Sequence, residues 1–278
     1  MNNLKKKDID FFLENGYLAI GKIIDDDFLK KLQLEYDKEF IKGNLNKTIR
    51  NLSKKDDFGE EINKINKALK NGMTLNVIEK NSNHEMLQIM QMSERNIFFR
   101  KLIYYPLILN KIADLLGDNI QLYFDQALYK PAKNGGEVHW HYDNVYWKCE
   151  PANLVSCWIT LDDAYLENGA MQVIPGSHKN EYYKYKDTNS SLLDFKEHID
   201  LNNKKVIPLP AGGAMFHHCK TMHYTQNNNT DHPRRALSIH YMNIGTKGFD
   251  TNTEKFTECL PVNFSHPILY QPIKSYKI

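Results

Sequence analysis

The chain has 278 residues, of which 41% are hydrophobic and 25% charged, and its net charge is +2. That balance describes a folded globular protein of one large or two small domains and excludes a disordered chain. Lys and Arg are interspersed with Asp and Glu, so no concentrated basic face is offered to nucleic acid, and no apolar run approaches the ~20 residues that cross a bilayer.

The opening stretch MNNLKKKDIDFF turns from basic to acidic with no apolar segment behind it, which is not the pattern of a signal peptide. Cys149, Cys157, Cys219 and Cys259 form no CxxC pair. They fit free thiols in a reduced, cytoplasmic setting better than a structural zinc site.

The first ~117 residues predict mostly helix from their apolar spacing. DIDFFLENG sets Ile9, Phe12 and Leu13 on one face and ends at Gly16. DDFLKKLQLEYDKEFIKG carries Phe28, Leu29, Leu32 and Tyr36 at helical spacing behind an acidic first turn, and is expected to stop at Gly43. PLILNKIADLLG opens on Pro106 and closes on Gly117, the usual asymmetry of a short helix.

The texture changes at Asn119. IQLYFDQALYKPA, EVHWHYDNVYW, LVSCWITLDDA, GAMQVIPGSH, KVIPLPAGGAMFHH and RALSIHYMN are short, rich in β-branched and aromatic residues, and bounded by Gly, Pro or Asn. These are strand signals. A run of such strands after a helical start predicts a mainly β fold with α: a double-sheet barrel or jelly roll with helices packed on one outer face. We expect one domain over residues 1–278, helical to about 117, a jelly roll over about 118–246 and a tail over 247–278. The polar stretches 44–82 and 179–204 carry no readable motif and, with the tail, are expected to shape a substrate pocket.

VHWHYDNVYW, residues 138–147, is the first candidate for chemistry. In a strand, residues two apart face the same side, so His141 and Asp143 would converge at ~6–7 Å and could share one cation. The same residues also read as an ordinary aromatic strand, with Trp140, Trp147 and Trp158 as core or pocket walls. A two-His, one-carboxylate set leaves positions open on Fe(II), and needs a third ligand from elsewhere. His217, His218, His223, His232 and His240 all compete for that place, and spacing alone does not choose among them. His223 is followed by Thr225 and then by Arg234 at the mouth of a strand. A hydroxyl and a guanidinium are what the far carboxylate of a 2-oxo acid needs. Strand alternation lets only one of Arg234 and Arg235 face inward. His178 and the glycines at 169, 176, 212 and 213 read as turn-forming and structural.

Taken in order, ENGYLAIGKII, QALYKPAKNGGEVHWHYDNVYW, VSCWITLDDAYLENGAMQVIPGSHK and HYTQNNNTDHPRRALSIHY resemble the motif blocks of the phytanoyl-CoA dioxygenase family of Fe(II)/2-oxoglutarate oxygenases. The resemblance spans about residues 8 to 245. It implies a cupin-like, distorted double-stranded β-helix with Fe(II) on His141, Asp143 and His223. It implies 2-oxoglutarate held by Arg234 and Thr225, with Trp158 in the cosubstrate pocket and Lys130 where the motif carries its lysine. The family usually has Gln between the first two ligands, and Tyr142 stands there. The carboxylate of Asp143 implies hydroxylation or desaturation with O2, since halogenating relatives carry a small residue at that place. Trp147 is assigned to the wall on the substrate side.

The expected activity is oxygenation of a C–H bond in a small metabolite or natural-product intermediate of secondary metabolism, releasing succinate and CO2. A cupin-like metalloenzyme without a keto acid and a non-catalytic binding protein are the alternatives.

Overall fold

The computed structural model describes residues 3–46, 49–52, 85–180, 195–196, 199–250, 253–259 and 267–270. The greater part of the polar stretches 44–82 and 179–204 lies outside the described residues.

The strands are β1 (Tyr17–Lys22), β2 (Arg50–Asn51), β3 (Leu87–Met90), β4 (Ile120–Lys130), β5 (Val138–His141), β6 (Cys149–Glu150), β7 (Val155–Thr160), β8 (Met171–Val173), β9 (Lys205–Ile207), β10 (Gly213–His218), β11 (His223–Thr225), β12 (Arg234–Asn243), β13 (Lys247–Asp250), β14 (Lys255–Glu258) and β15 (Ile268–Tyr270). An eight-stranded sheet runs β1-β10-β7-β12-β4-β3-β2, with β15 also on β4. A four-stranded sheet runs β5-β11-β8-β9, and a small one runs β14-β13-β6. All named strand pairs are antiparallel. The two larger sheets form the jelly roll expected from the strand pattern.

Helices Lys6–Asn15, Asp26–Asn46, Ile97–Ile103 and Pro106–Leu116 supply the apolar cover of the large sheet. Period-two alternation sorts each central strand between two cores. Val155, Cys157 and Ile159 of β7 meet Leu32, Phe99, Ile108 and Ile112 from the helices. Trp158, between them, joins Met171, Val173 and Met215 in a second cluster between the sheets. Both faces of β7 are therefore buried along its whole length, which explains why its sequence shows no polar alternation.

Caps follow the sequence. Pro106 opens its helix and Gly117, at φ 78°, closes it. Asp25 accepts from the Phe28 N–H at 2.8 Å, capping the Asp26–Asn46 helix. Gly16 ends the first helix at φ 78°, and a Cβ there would lie 2.4 Å from His178 Nδ1.

Four expectations need correction. Leu13 does not share the buried face: it is 59% exposed, while Phe12 is 3% exposed. Its helix packs at the end strand β1, where the contact is narrower than the apolar arc. The second helix runs through Gly43 to Asn46. A mid-helix glycine costs only about 1 kcal/mol, which the packing of Leu29, Leu32 and Tyr36 outweighs. The stretch read as mostly helical also holds β1, β2 and β3, which complete the large sheet. Finally, EVHWHYDNVYW is a strand only to His141, and Asn144–Trp147 forms a helical turn.

Asp125 of β4 ties the Met92–Arg95 turn to the sheet by accepting from Ser93 N–H at 2.8 Å and Ser93 Oγ at 2.6 Å. Burial outweighs these bonds and raises its carboxyl to about 6, against about 4 in an unfolded chain. The folded state holds a proton in that window that the unfolded state has lost. This group's contribution is therefore full below pH ~4 and falls away as pH rises through about 6, a change of about 3 kcal/mol. Asp125→Asn removes the titration. Urea unfolding should show the variant gaining about 3 kcal/mol on the parent between pH 4 and pH 8, and a difference that does not change with pH would contradict the burial argument.

Candidate metal centre and anion seat

β5 ends at His141, and the chain turns at once. Asp143 has φ −57° and ψ −43° and leads into the Asn144–Trp147 turn. The turn is pinned by Asn144 N–H donating to the Cys219 carbonyl at 2.9 Å and Tyr146 N–H to Asp143 O at 3.0 Å. Asp143 therefore reaches His141 by a change of backbone direction and not by strand alternation. His223, first residue of β11, lies directly opposite His141 in register. The two rings are 4.2 Å apart between centroids. One ligand atom from each of His141, Asp143 and His223 falls within 4.8 Å of the others.

The backbone chooses which nitrogen each ring presents. His141 Nδ1 is 2.7 Å from the His139 carbonyl oxygen, and His223 Nδ1 is 2.9 Å from that of Thr221. A carbonyl only accepts, so each Nδ1 carries the proton and each Nε2 keeps its lone pair. Burial lowers the pKa of both rings, His223 most strongly with His141 beside it, and so favours the neutral ligand form. Asp143 Oδ1 stands 3.6 Å from His223 Nε2. Its Oδ2 accepts from Ser156 Oγ at 3.0 Å and His217 Nε2 at 3.1 Å. Burial alone would raise this carboxyl, but the His223 ring and the His217 hydrogen bond override it and hold it below the usual carboxylate range. Two neutral imidazoles and one carboxylate are a donor set that suits Fe(II).

The other histidines take separate places. His218 lies 5.4 Å from the His178 ring and accepts from the Lys220 N–H at 3.1 Å. His232 is exposed. His217 donates to Asp143, and His240 Nδ1 sits 2.7 Å from Ser156 Oγ. Burial pushes His240 down to about 3. Sequence reasoning did not see Ser156, His217 and His240 as supports of Asp143. Alternation on β7, β10 and β12 was a usable signal, because it points Ser156 and Trp158 to the same face.

A second group lies on the inner face of the same barrel. Arg234 opens β12 opposite Lys130 of β4 and is fully buried, while Arg235 faces the helices and pairs with Asp162 at 2.6 Å and Asp37 at 2.9 Å. The Arg234 guanidinium carbon sits 5.6 Å from the centroid of the Trp158 ring, and its Nη1 is 3.4 Å from the Leu128 carbonyl. Its Nε and the Thr225 Oγ1 are buried with no hydrogen-bond partner. Burial lowers Arg234 to about 10. Lys130 is also fully buried, and its ammonium donates to the carbonyls of Gly136 and Gln226. A Cβ on Gly169, at φ +86°, would lie 2.6 Å from the Gln226 oxygen and 2.9 Å from Lys130 Cδ, so glycine keeps that channel open. Among the described residues no carboxylate forms an ion pair with Arg234 or Lys130. The orphaned Arg234 Nε and Thr225 Oγ1 are each groups that an anion would satisfy, while burial and the neighbouring guanidinium lower the Lys130 pKa strongly.

Trp147 is half-buried against Tyr123, Phe124 and His240, with ring centroids 5.3, 5.5 and 4.6 Å away. That puts it on the Asp143 and His240 side of the centre.

Comparison with known proteins agrees with this architecture. The family model described as phytanoyl-CoA dioxygenase (PhyH) matches residues 12–236. A probable alpha-ketoglutarate-dependent hypophosphite dioxygenase of Stutzerimonas stutzeri is 31% identical over 142 residues, which cover 47% of this chain and 49% of that one. A phytanoyl-CoA dioxygenase domain-containing protein 1 homolog of Caenorhabditis elegans is 30% identical over 156 residues, covering 52% and 53%. The chain thus spans about half the length of these curated relatives. Among solved structures, the non-heme alpha ketoglutarate dependent epimerase SnoN from nogalamycin biosynthesis superposes with a TM-score of 0.69 over 98% of both chains, at 19% identity. That last likeness is one of fold. The family match begins in the first helix and runs without a break past the turn that delivers Asp143 to the buried arginine of β12, and on that basis the chain belongs to the phytanoyl-CoA dioxygenase (PhyH) family.

Proposed function

We propose that the protein is an Fe(II)- and 2-oxoglutarate-dependent oxygenase that hydroxylates an unactivated C–H bond of a small molecule. One observation carries this reading: two buried groups without a partner, Arg234 Nε at the start of β12 and Thr225 Oγ1 on the same strand as His223. A metal-only enzyme has no use for them. A keto acid does, because it needs a cation for its distal carboxylate while its other end sits at the metal.

In this reading His141 and His223 offer Nε2, and Asp143 offers Oδ1. When bound, iron with 2-oxoglutarate supplies O2 activation, the oxidising power being drawn from decarboxylation of the keto acid to succinate and CO2. The chain's own work is positioning. Arg234 and Thr225 clamp the distal carboxylate, with Lys130 opposite Arg234 in register. Trp158 walls the cosubstrate and fixes the guanidinium from one side. Trp147 and Phe124 form an apolar wall on the substrate side and keep water away from the reacting C–H. A carboxylate at 143 occupies the place that a halide would need, which favours hydroxylation.

The substrate class we favour is a small polar metabolite or a natural-product intermediate of secondary metabolism. No helix of the described residues is long and apolar enough to cross a membrane, and we place the protein in the cytoplasm on its free cysteines.

Asp143→Ala should abolish 2-oxoglutarate turnover, and unchanged turnover would remove Asp143 from the centre. Arg234→Leu should raise the KM for 2-oxoglutarate about 100-fold, a loss of about 3 kcal/mol, with Fe(II) affinity kept. An unchanged KM would contradict the anion seat and favour a cupin-like enzyme or a binding protein that uses no keto acid.

A further inference from the structure

The support of Asp143 does not stop at Ser156. Ser156 Oγ has one proton, and an ionised Asp143 only accepts, so Ser156 donates to Oδ2. His240 Nδ1, 2.7 Å away, must then donate to Ser156. That leaves His240 Nε2 as an acceptor, and Gln126 Nε2 lies 3.0 Å from it. Gln126 Oε1 in turn accepts from Gln88 Nε2. Gln88 Oε1 accepts from Arg50 Nη1 at 3.0 Å. An arginine only donates and a carboxylate only accepts, so both ends impose the same direction on every link. A His240 ring with protons on both nitrogens would turn Gln126 and then Gln88, and would set the Gln88 amide N–H groups against Arg50. The chain crosses the large sheet from β2 through β3, β4 and β12 to β7. Gln88, Gln126 and Arg50 touch none of the three candidate ligands.

We propose that Arg50, Gln88, Gln126, His240 and Ser156 form a one-way hydrogen-bond chain that positions Asp143, occupying Oδ2 so that Oδ1 alone faces the metal. This rests on the metal reading above. With His217 on the same Oδ2, the carboxylate is held in one rotation before any metal binds, and half its acceptor capacity is used by the protein. The chain members are positioning residues. The buried amide of Gln88 and its neighbour Gln126 thereby gain a role.

The test is Co(II) titration of the full chain, followed by visible absorption, with melting of the metal-free protein as the check on folding. The parent should bind Co(II) and Asp143→Ala should not. If the two bind alike, the metal reading itself fails. Gln126→Met keeps the volume but cuts the chain two links from Asp143. It should weaken Co(II) at least 10-fold and shift the bands toward a two-oxygen carboxylate, while the metal-free protein still melts cooperatively. Should Gln126→Met fail to fold, Ser156→Ala against Ser156→Thr makes the same comparison, with Thr restoring the parental spectrum. A parental affinity and spectrum in folded Gln126→Met, or in folded Ser156→Ala, would overturn the chain while leaving the metal reading intact.

Discussion

An ionised guanidinium in a dry interior costs several kcal/mol unless an anion meets it. Arg234 is under that constraint. It is fully buried, its Nε has no partner, and its cross-strand neighbour is another buried basic residue, Lys130, whose pKa is lowered strongly by burial and by Arg234. Packing the pair costs stability, and the surrounding architecture holds it in place. Gly169 leaves space for the Lys130 chain, the carbonyls of Gly136 and Gln226 hold the ammonium, and Trp158 faces the guanidinium. In the proposed function the distal carboxylate of a keto acid supplies the missing partner. A His/Asp cluster alone suits a metal-only protein equally well.

The metal centre obeys a complementary rule. There the buried charge is negative, and it is met several times over by Ser156, His217 and the neighbouring rings. Asp143 is oriented by its own protein, whereas the buried Arg234 Nε has no hydrogen-bond partner. The two groups are connected through β11, which carries His223 at one end and Thr225 at the other, on one face. A shift of that three-residue strand would move His223 and Thr225 together.

Much of this was legible in the sequence, for local reasons. Gly and Pro mark the helix ends at Gly16, Pro106 and Gly117 because their backbone preferences act without tertiary context. Period two requires Arg234 and Arg235 to face opposite sides, the motif resemblance chose Arg234 as the inward one, and the fold buries Arg234 and pairs Arg235 with Asp162. The ordered motif blocks led to His141, Asp143 and His223, which the fold brings together. The route by which Asp143 arrives was not legible. A strand was expected where a turn occurs, because that turn is fixed by the distant Cys219 carbonyl. The supports of Asp143 were hidden for the same reason: Ser156 and His217 lie 13 and 74 residues away, and only sheet register brings them close. Gln88 and Gln126 carry no motif, and their meaning depends on β3 pairing with β4. The strand β1 was missed inside a helical stretch because six residues with a bulge show too little alternation.

The most direct test is an anaerobic visible absorption titration of the protein with Fe(II) and 2-oxoglutarate. A broad charge-transfer band that requires both additions is the predicted result, since it reports a keto acid chelated at a metal held by this chain. A folded, metal-loaded protein that gives no such band would contradict the central claim and leave the buried arginine to some other anion.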